Sequence, residues 1–270
     1  MAQQVMQIGG ISFACVVRGS GRPLVLVHGF PFDHTMWQAQ IETLSAVCCV
    51  IAPDLRGFGG SGLSDADVAD GVEMRRYAAD IKAVLDELQI SEPAILCGFS
   101  MGGYVLWQFV LEYPECVAAI VLCDTRADAD SAEGQQARLQ MAENVMRNGI
   151  DAVPGAMIPK LLAAETIANR QEIVDQVEVM IRKSSPEGIA AAQRGMGKRP
   201  DVREHLGEMN WPAMVVVGAE DAISSPAEMR EIAEALPAAE YVEIEAAGHM
   251  TPLENPGAVS DALLRFVQSL

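Results

Sequence analysis

Short, unbroken apolar runs punctuate this chain: PLVLVH at 23–28, CCVIAP at 48–53, AILC at 94–97, AIVLC at 119–123 and AMVVVG at 213–218. Each is too short for a helix, rich in Val, Ile or Leu, and free of polar alternation. Such runs predict strands covered on both faces, as in a parallel sheet. YVEIE at 241–245 is a further strand-like run. Between the runs the period changes. In MRRYAADIKAVLDEL, Tyr77, Ile81, Val84, Leu85 and Leu88 recur at spacings of three and four, which predicts an amphipathic helix. SPAEMREIAEAL predicts another, capped by Ser225 and opened by Pro226, and a last helix is expected near Gly257 to Ser269. Strands and helices alternate, so the fold class is α/β.

Two regions depart from the alternation. QVMQI, Gly9-Gly10 and ISFACVV predict an antiparallel hairpin with a tight turn. From Thr125 to about Met209 no strand pattern occurs, and the stretch is helix-prone with Met141, Met146, Met157, Met180 and Met196. The expected organisation is a core in two parts, 1–124 and 210–270, with a helical insertion at 125–209. The insertion methionines fit either a plastic pocket lining or packing between helices.

Charge narrows the range of partners. The 270 residues carry a formal net charge of -18, which repels phosphate backbones and anionic lipid headgroups. Neither a nucleic acid nor a membrane is therefore an expected partner. No apolar run approaches the ~18 residues of a membrane span, and MAQQVMQIGG has neither the basic nor the apolar region of a signal peptide. The six cysteines are scattered, mostly within apolar runs. They read as buried free thiols in a reducing cytoplasm.

Candidate chemistry centres on Gly98-Phe99-Ser100-Met101-Gly102. An apolar strand runs into it and a helix-like segment, YVLWQFVLEY, leaves it. That context predicts a sharp strand–serine–helix turn with the Ser100 hydroxyl exposed. A serine nucleophile needs a base, an acid to orient the base, and donors for an oxyanion. Of four histidines, His249 is favoured as base, because it follows the last strand-like run on a loop and follows the serine in chain order. Asp221, in the turn GAED after AMVVVG, is the expected acid, and Asp124, in CDTR after AIVLC, is the alternative. The expected oxyanion donors are the backbone N–H groups of Met101, at a helix start, and Phe30, in HGFPFD after PLVLV.

Taken in order, His28-Gly29-Phe30-Pro31, Asp54-Leu55-Arg56-Gly57-Phe58-Gly59-Gly60-Ser61, Gly98-Phe99-Ser100-Met101-Gly102-Gly103, Gly218-Ala219-Glu220-Asp221 and Gly248-His249 resemble the landmarks of the α/β-hydrolase superfamily. The resemblance implies a mostly parallel eight-stranded sheet with a helical cap at the 125–209 insertion. Serine at the turn separates the chain from haloalkane dehalogenases and epoxide hydrolases, which carry aspartate there. GFSMGGY and GHMTPLENP are similar to carboxylesterases and 3-oxoadipate enol-lactonases, and HGFPFDHTMW to cofactor-free haloperoxidases and perhydrolases. The expected activity is hydrolysis of a small ester or lactone without metal or organic cofactor. Perhydrolysis on the same residues and a ligand-binding sensor on a hydrolase scaffold are the alternatives.

Three other patterns carry less. Gly57 to Gly62 fits G-x-G-x-x-G, but LSDADVADG follows as polar loop where a dinucleotide site needs a helix. His28 and His34 lack metal spacing. Arg182, Lys183, Arg194, Lys198 and Arg199 are either anchors for a substrate carboxylate or solvated surface.

Overall fold

The computed structural model describes residues 3–270. Met1 and Ala2, assigned above to the first part of the core, lie outside the described residues. Eight strands form one sheet in the order β1-β2-β4-β3-β5-β6-β7-β8. They are β1 (Gln3–Ile8), β2 (Ile11–Arg18), β3 (Pro23–Val27), β4 (Cys49–Pro53), β5 (Ala94–Phe99), β6 (Val117–Cys123), β7 (Ala213–Gly218) and β8 (Ala239–Ile244). The expected hairpin is β1–β2, antiparallel and turned at Gly9-Gly10, and β2 also pairs antiparallel with β4. All other pairings are parallel.

The unbroken apolar runs are the central strands. Every residue of β3, β5 and β7 is buried, because helices cover both faces of the sheet there. The edge strands β1 and β8 are mostly exposed or half-buried and carry polar residues. Polar edges discourage pairing with other chains.

Helices α1 (Gln38–Leu44), α2 (Asp65–Asp70), α3 (Met74–Glu87) and α4 (Met101–Glu112) precede β6. Of the predicted stripe, Tyr77, Ile81, Val84 and Leu85 are buried in α3, while Leu88 caps its C-terminus and is half-buried. The segment LSDADVADG, read as loop, contains α2. Ser64 and Asp67 form a reciprocal capping box there, and no residue of the helix is buried. A helix that buries no residue leaves no apolar period to detect.

Between β6 and β7 run α5 (Ala132–Asn148), α6 (Val153–Leu161), α7 (Ala164–Asn169), α8 (Gln171–Lys183) and α9 (Pro186–Met196). α5 packs along α9, and α6 packs against α8. The insertion is seated on α2 and the loop after it: Arg194 Nη1 donates to Val68 O in α2 (2.6 Å), and Val72 N–H in the loop donates to Ala191 O (3.0 Å). The chain closes with α10 (Pro226–Ala235), β8, the single turn α11 (Thr251–Glu254) and α12 (Pro256–Ser269). Ser225 caps α10 and Pro226 opens it, as predicted. Among the described residues all six cysteines are free thiols and no helix is long and apolar enough to cross a membrane.

Candidate active site

Ser100 occupies the turn between β5 and α4 with φ 51° and ψ -113°, a conformation that costs a non-glycine residue energy. Its neighbours hold it there. Ser100 N–H donates to Cys123 O on β6 (2.9 Å), and its carbonyl accepts from the Thr125 hydroxyl (2.7 Å). The turn closes tightly: a Cβ on Gly98 would stand 2.6 Å from Gly102 O, and one on Gly102 would stand 2.4 Å from Val27 O. Both glycines are therefore required by close approach.

His249 stands on the loop after β8, with its ring 5.0 Å from that of Phe99. Its Nε2 lies 2.8 Å from Ser100 Oγ and its Nδ1 lies 2.8 Å from Asp221 Oδ2. Asp221 follows β7. It accepts from Ile223 N–H (2.7 Å), Ser224 N–H (3.1 Å) and the Ser224 hydroxyl (2.7 Å). Burial opposes its charge, yet the His249 ring and these donors hold its carboxyl below the usual carboxylate range. A proton on His249 Nδ1 directed at Asp221 leaves Nε2 free to accept from Ser100.

Asp124, the alternative acid, directly follows β6 and makes no hydrogen bond to the ring. Its Oδ1 accepts from Gly218 N–H (2.9 Å), and Oδ2 meets the Thr251 hydroxyl. Complete burial and the nearby charge of Asp221 push its carboxyl well above the usual range. Asp124 thus joins the ends of β6 and β7 through hydrogen bonds to Gly218 and Thr251.

Phe30 lines the cavity beside Ser100 and His249, while Met101 is fully buried at the first position of α4. Among the described residues neither backbone N–H has an acceptor within the chain. A helix's first N–H groups are free to bind a ligand. The loop carrying Phe30 is fastened by Asp54. This buried carboxylate takes both the backbone N–H (2.9 Å) and ring Nδ1 (2.7 Å) of His34, and the Gly60 N–H (2.9 Å). The glycine run 57–62 therefore wraps around Asp54 and holds no phosphate-type cradle.

The other histidines are occupied or remote. His28 is buried, and one neutral tautomer donates Nδ1–H to Gly29 O (2.9 Å) and accepts Leu55 N–H at Nε2 (2.8 Å). His205 is exposed on a short turn before β7.

Above Ser100 opens a cavity of about 400 Å³, walled on one side by the insertion. Met141, Met157 and Met196 line it, whereas Met180 is packed in the core and Met146 is exposed. Three of the insertion methionines thus serve as pocket lining and Met180 as packing, while Met146 fits neither expected use. None of the five basic residues singled out in the sequence lines the cavity. Arg199 is buried on Asp130 and over the Tyr104 ring, and Arg194 and Lys198 cap backbone carbonyls. Arg182 pairs with Glu178 and Asp151, and Lys183 lies at a separate surface groove. The basic residues at the cavity are Arg138 and Lys160, which no spacing distinguished.

Residues 24–262 match a family model described as "Alpha/beta hydrolase family". The solved structure of a thermophilic esterase from Thermogutta terrifontis, with malate bound, aligns at a TM-score of 0.95 and 38% identity, covering 100% of this chain and 99% of that one. The 3-oxoadipate enol-lactonase 2 of Acinetobacter baylyi is 26% identical over 253 residues, 94% of this chain and 91% of its own. A bromoperoxidase from Bacillus anthracis shares the fold, with a TM-score of 0.84 at 22% identity, over 99% of this chain and 100% of that one.

Proposed function

The chain belongs to the α/β-hydrolase family, and from that premise we propose that it is a serine hydrolase cleaving a carboxylic ester or lactone through an acyl-enzyme. One observation carries the reading: Ser100 Oγ, His249 and Asp221 form a continuous line of 2.8 Å contacts, and its serine end opens into a largely apolar cavity. His249 Nε2 takes the Ser100 proton as Oγ attacks the carbonyl carbon. Asp221 keeps the ring in the required tautomer and stabilises the imidazolium. The N–H groups of Phe30 and Met101 receive the oxyanion. His249 then protonates the leaving alkoxide, and water enters by the same steps in reverse roles.

In this reading α5 to α9 form a cap over residues of the core, so that 125–209 is the substrate-selecting unit. The chemistry needs no metal or organic cofactor. The free thiols support residence in the cytoplasm.

The likeness in fold to a bromoperoxidase keeps perhydrolysis as a second reading, with peroxide in place of water. Hydrolysis of p-nitrophenyl esters from acetate to octanoate, by wild type beside Ser100→Ala, tests the proposal. Turnover lost in the variant supports it. Equal background rates in both overturn it and favour a ligand-binding sensor. Halogenation that requires added peroxide favours the second reading.

A further inference from the structure

Glu254 is a buried carboxylate that no step above uses, and it is only 2% exposed. Its two oxygens serve different parts of the molecule. Oε1 accepts the N–H of Gly248 at 2.8 Å, one residue before His249. Oε2 accepts the N–H of Ala163 at 2.8 Å, at the joint between α6 and α7 in the insertion. Two further ties run parallel to it. Met250 N–H, one residue after His249, donates to Leu161 O (3.1 Å). The Arg170 guanidinium, just ahead of α8, donates to the Glu254 carbonyl. The insertion is therefore bonded to the chain on both sides of the His249 ring. Leu161 and His249 face the same cavity.

Burying a carboxylate is costly, and desolvation indeed raises the Glu254 carboxyl above its usual range. What this carboxylate supplies is two acceptors in a fixed fork. An amide of the same shape supplies one acceptor and sets a donor against the other N–H.

We propose that Glu254 is a positioning residue that couples the seat of the insertion to the placement of His249. With α6 and α7 in place, both N–H groups are bound and the ring stands 2.8 Å from Ser100 Oγ. A displaced insertion loosens Gly248 and moves the ring out of line with the serine. The wall that selects the substrate thus also sets the base. This inference rests on the hydrolase reading, in which His249 is the base.

Glu254→Gln tests it, with Ser100 counted by a fluorophosphonate probe. The expected result is a fall in kcat per titrated site of about tenfold or more on p-nitrophenyl acetate, with KM nearly unchanged, since small displacements of reacting groups are costly. Hydrogen–deuterium exchange is expected to rise in both 161–170 and 246–255. An unchanged kcat per titrated site, with only a lower unfolding midpoint, overturns the proposal. So does faster exchange confined to one of the two segments. Arg170→Ala is the second variant, because its side chain is 38% exposed and its loss leaves the core intact. It is expected to show the same paired rise in exchange with a smaller fall in kcat. If Glu254→Gln does not fold, the absence of both effects in Arg170→Ala overturns the coupling. A wild type that hydrolyses no ester overturns the hydrolase reading instead, and the paired exchange still reads the coupling.

Discussion

Asp124 and Asp221 bring carboxylate oxygens within 4.8 Å of each other, yet only Asp221 meets the His249 ring. Two carboxylates that close do not share charge equally. Asp221 has the imidazole and three other donors and stays ionised, while Asp124 is fully buried and is pushed toward its neutral form. Asparagine is close in shape to Asp124 and can still accept from Gly218 N–H. Asp124→Asn is therefore expected to keep kcat within about tenfold of wild type, or 1.4 kcal/mol. Asp221→Asn is expected to lower kcat by about 10⁴-fold, as loss of the tautomer-holding acid does elsewhere. Steady-state kinetics on one ester compares the two directly, and the reverse ranking would reassign the acid.

The Asp54–His34 pair sets a pH window for stability. Burial opposes both charges, but their mutual hydrogen bond and attraction win, lowering Asp54 from 3.8 and raising His34 from 6.5. Asp54 contributes above its ordinary value and loses that contribution as pH falls through the depressed one. His34 contributes below its ordinary value and loses that contribution as pH rises through the raised one. Asp54→Asn is expected to cost roughly 2–3 kcal/mol, by unpairing several buried donors. The difference from wild type should be widest between the two ordinary values and narrow on both sides. Urea unfolding at a series of pH values measures it, and a difference independent of pH would rule the pair out as its source.

Gly195 seats the insertion by contact. A Cβ there would stand 1.7 Å from Val72 O, a backbone atom that cannot yield cheaply. Gly195→Ala is expected to destabilise by roughly 1–3 kcal/mol, as overpacking does. Because Gln193 and Met196 on the same helix line the cavity, KM for the longer esters should rise with it. Thermal unfolding and ester kinetics on one preparation check both halves.

Met157 lines the cavity from α6 and is half-buried, so its side chain can be enlarged without entering the core. Met157→Trp is expected to move the optimum in the p-nitrophenyl series toward shorter acyl chains, with kcat on acetate little changed. An unaltered chain-length profile would place the acyl chain elsewhere.

Much of this was legible along the chain. Central strands announce themselves because burial on both faces leaves only apolar residues, as in PLVLV and AMVVVG. The serine turn is equally local, since the backbone of Gly98 to Gly102 crosses itself within five residues. Helix α2 escaped because it buries no apolar stripe. Arg138, Lys160 and Glu254 also escaped. Lining a cavity or bridging two segments leaves no period in the sequence around a residue.

The order of residues by itself determined the alternating sheet, the helix-rich interval between β6 and β7 and the turn at Ser100, because each depends on neighbours within a few positions. Tertiary structure decided which aspartate meets His249, since Asp124 and Asp221 have the same local setting at adjacent strand ends. It decided which methionines face the cavity. It also decided that Glu254, 91 residues from Ala163, binds the insertion to the loop of His249. Such contacts depend on how helices and strands pack in space, and separation along the chain does not encode that packing.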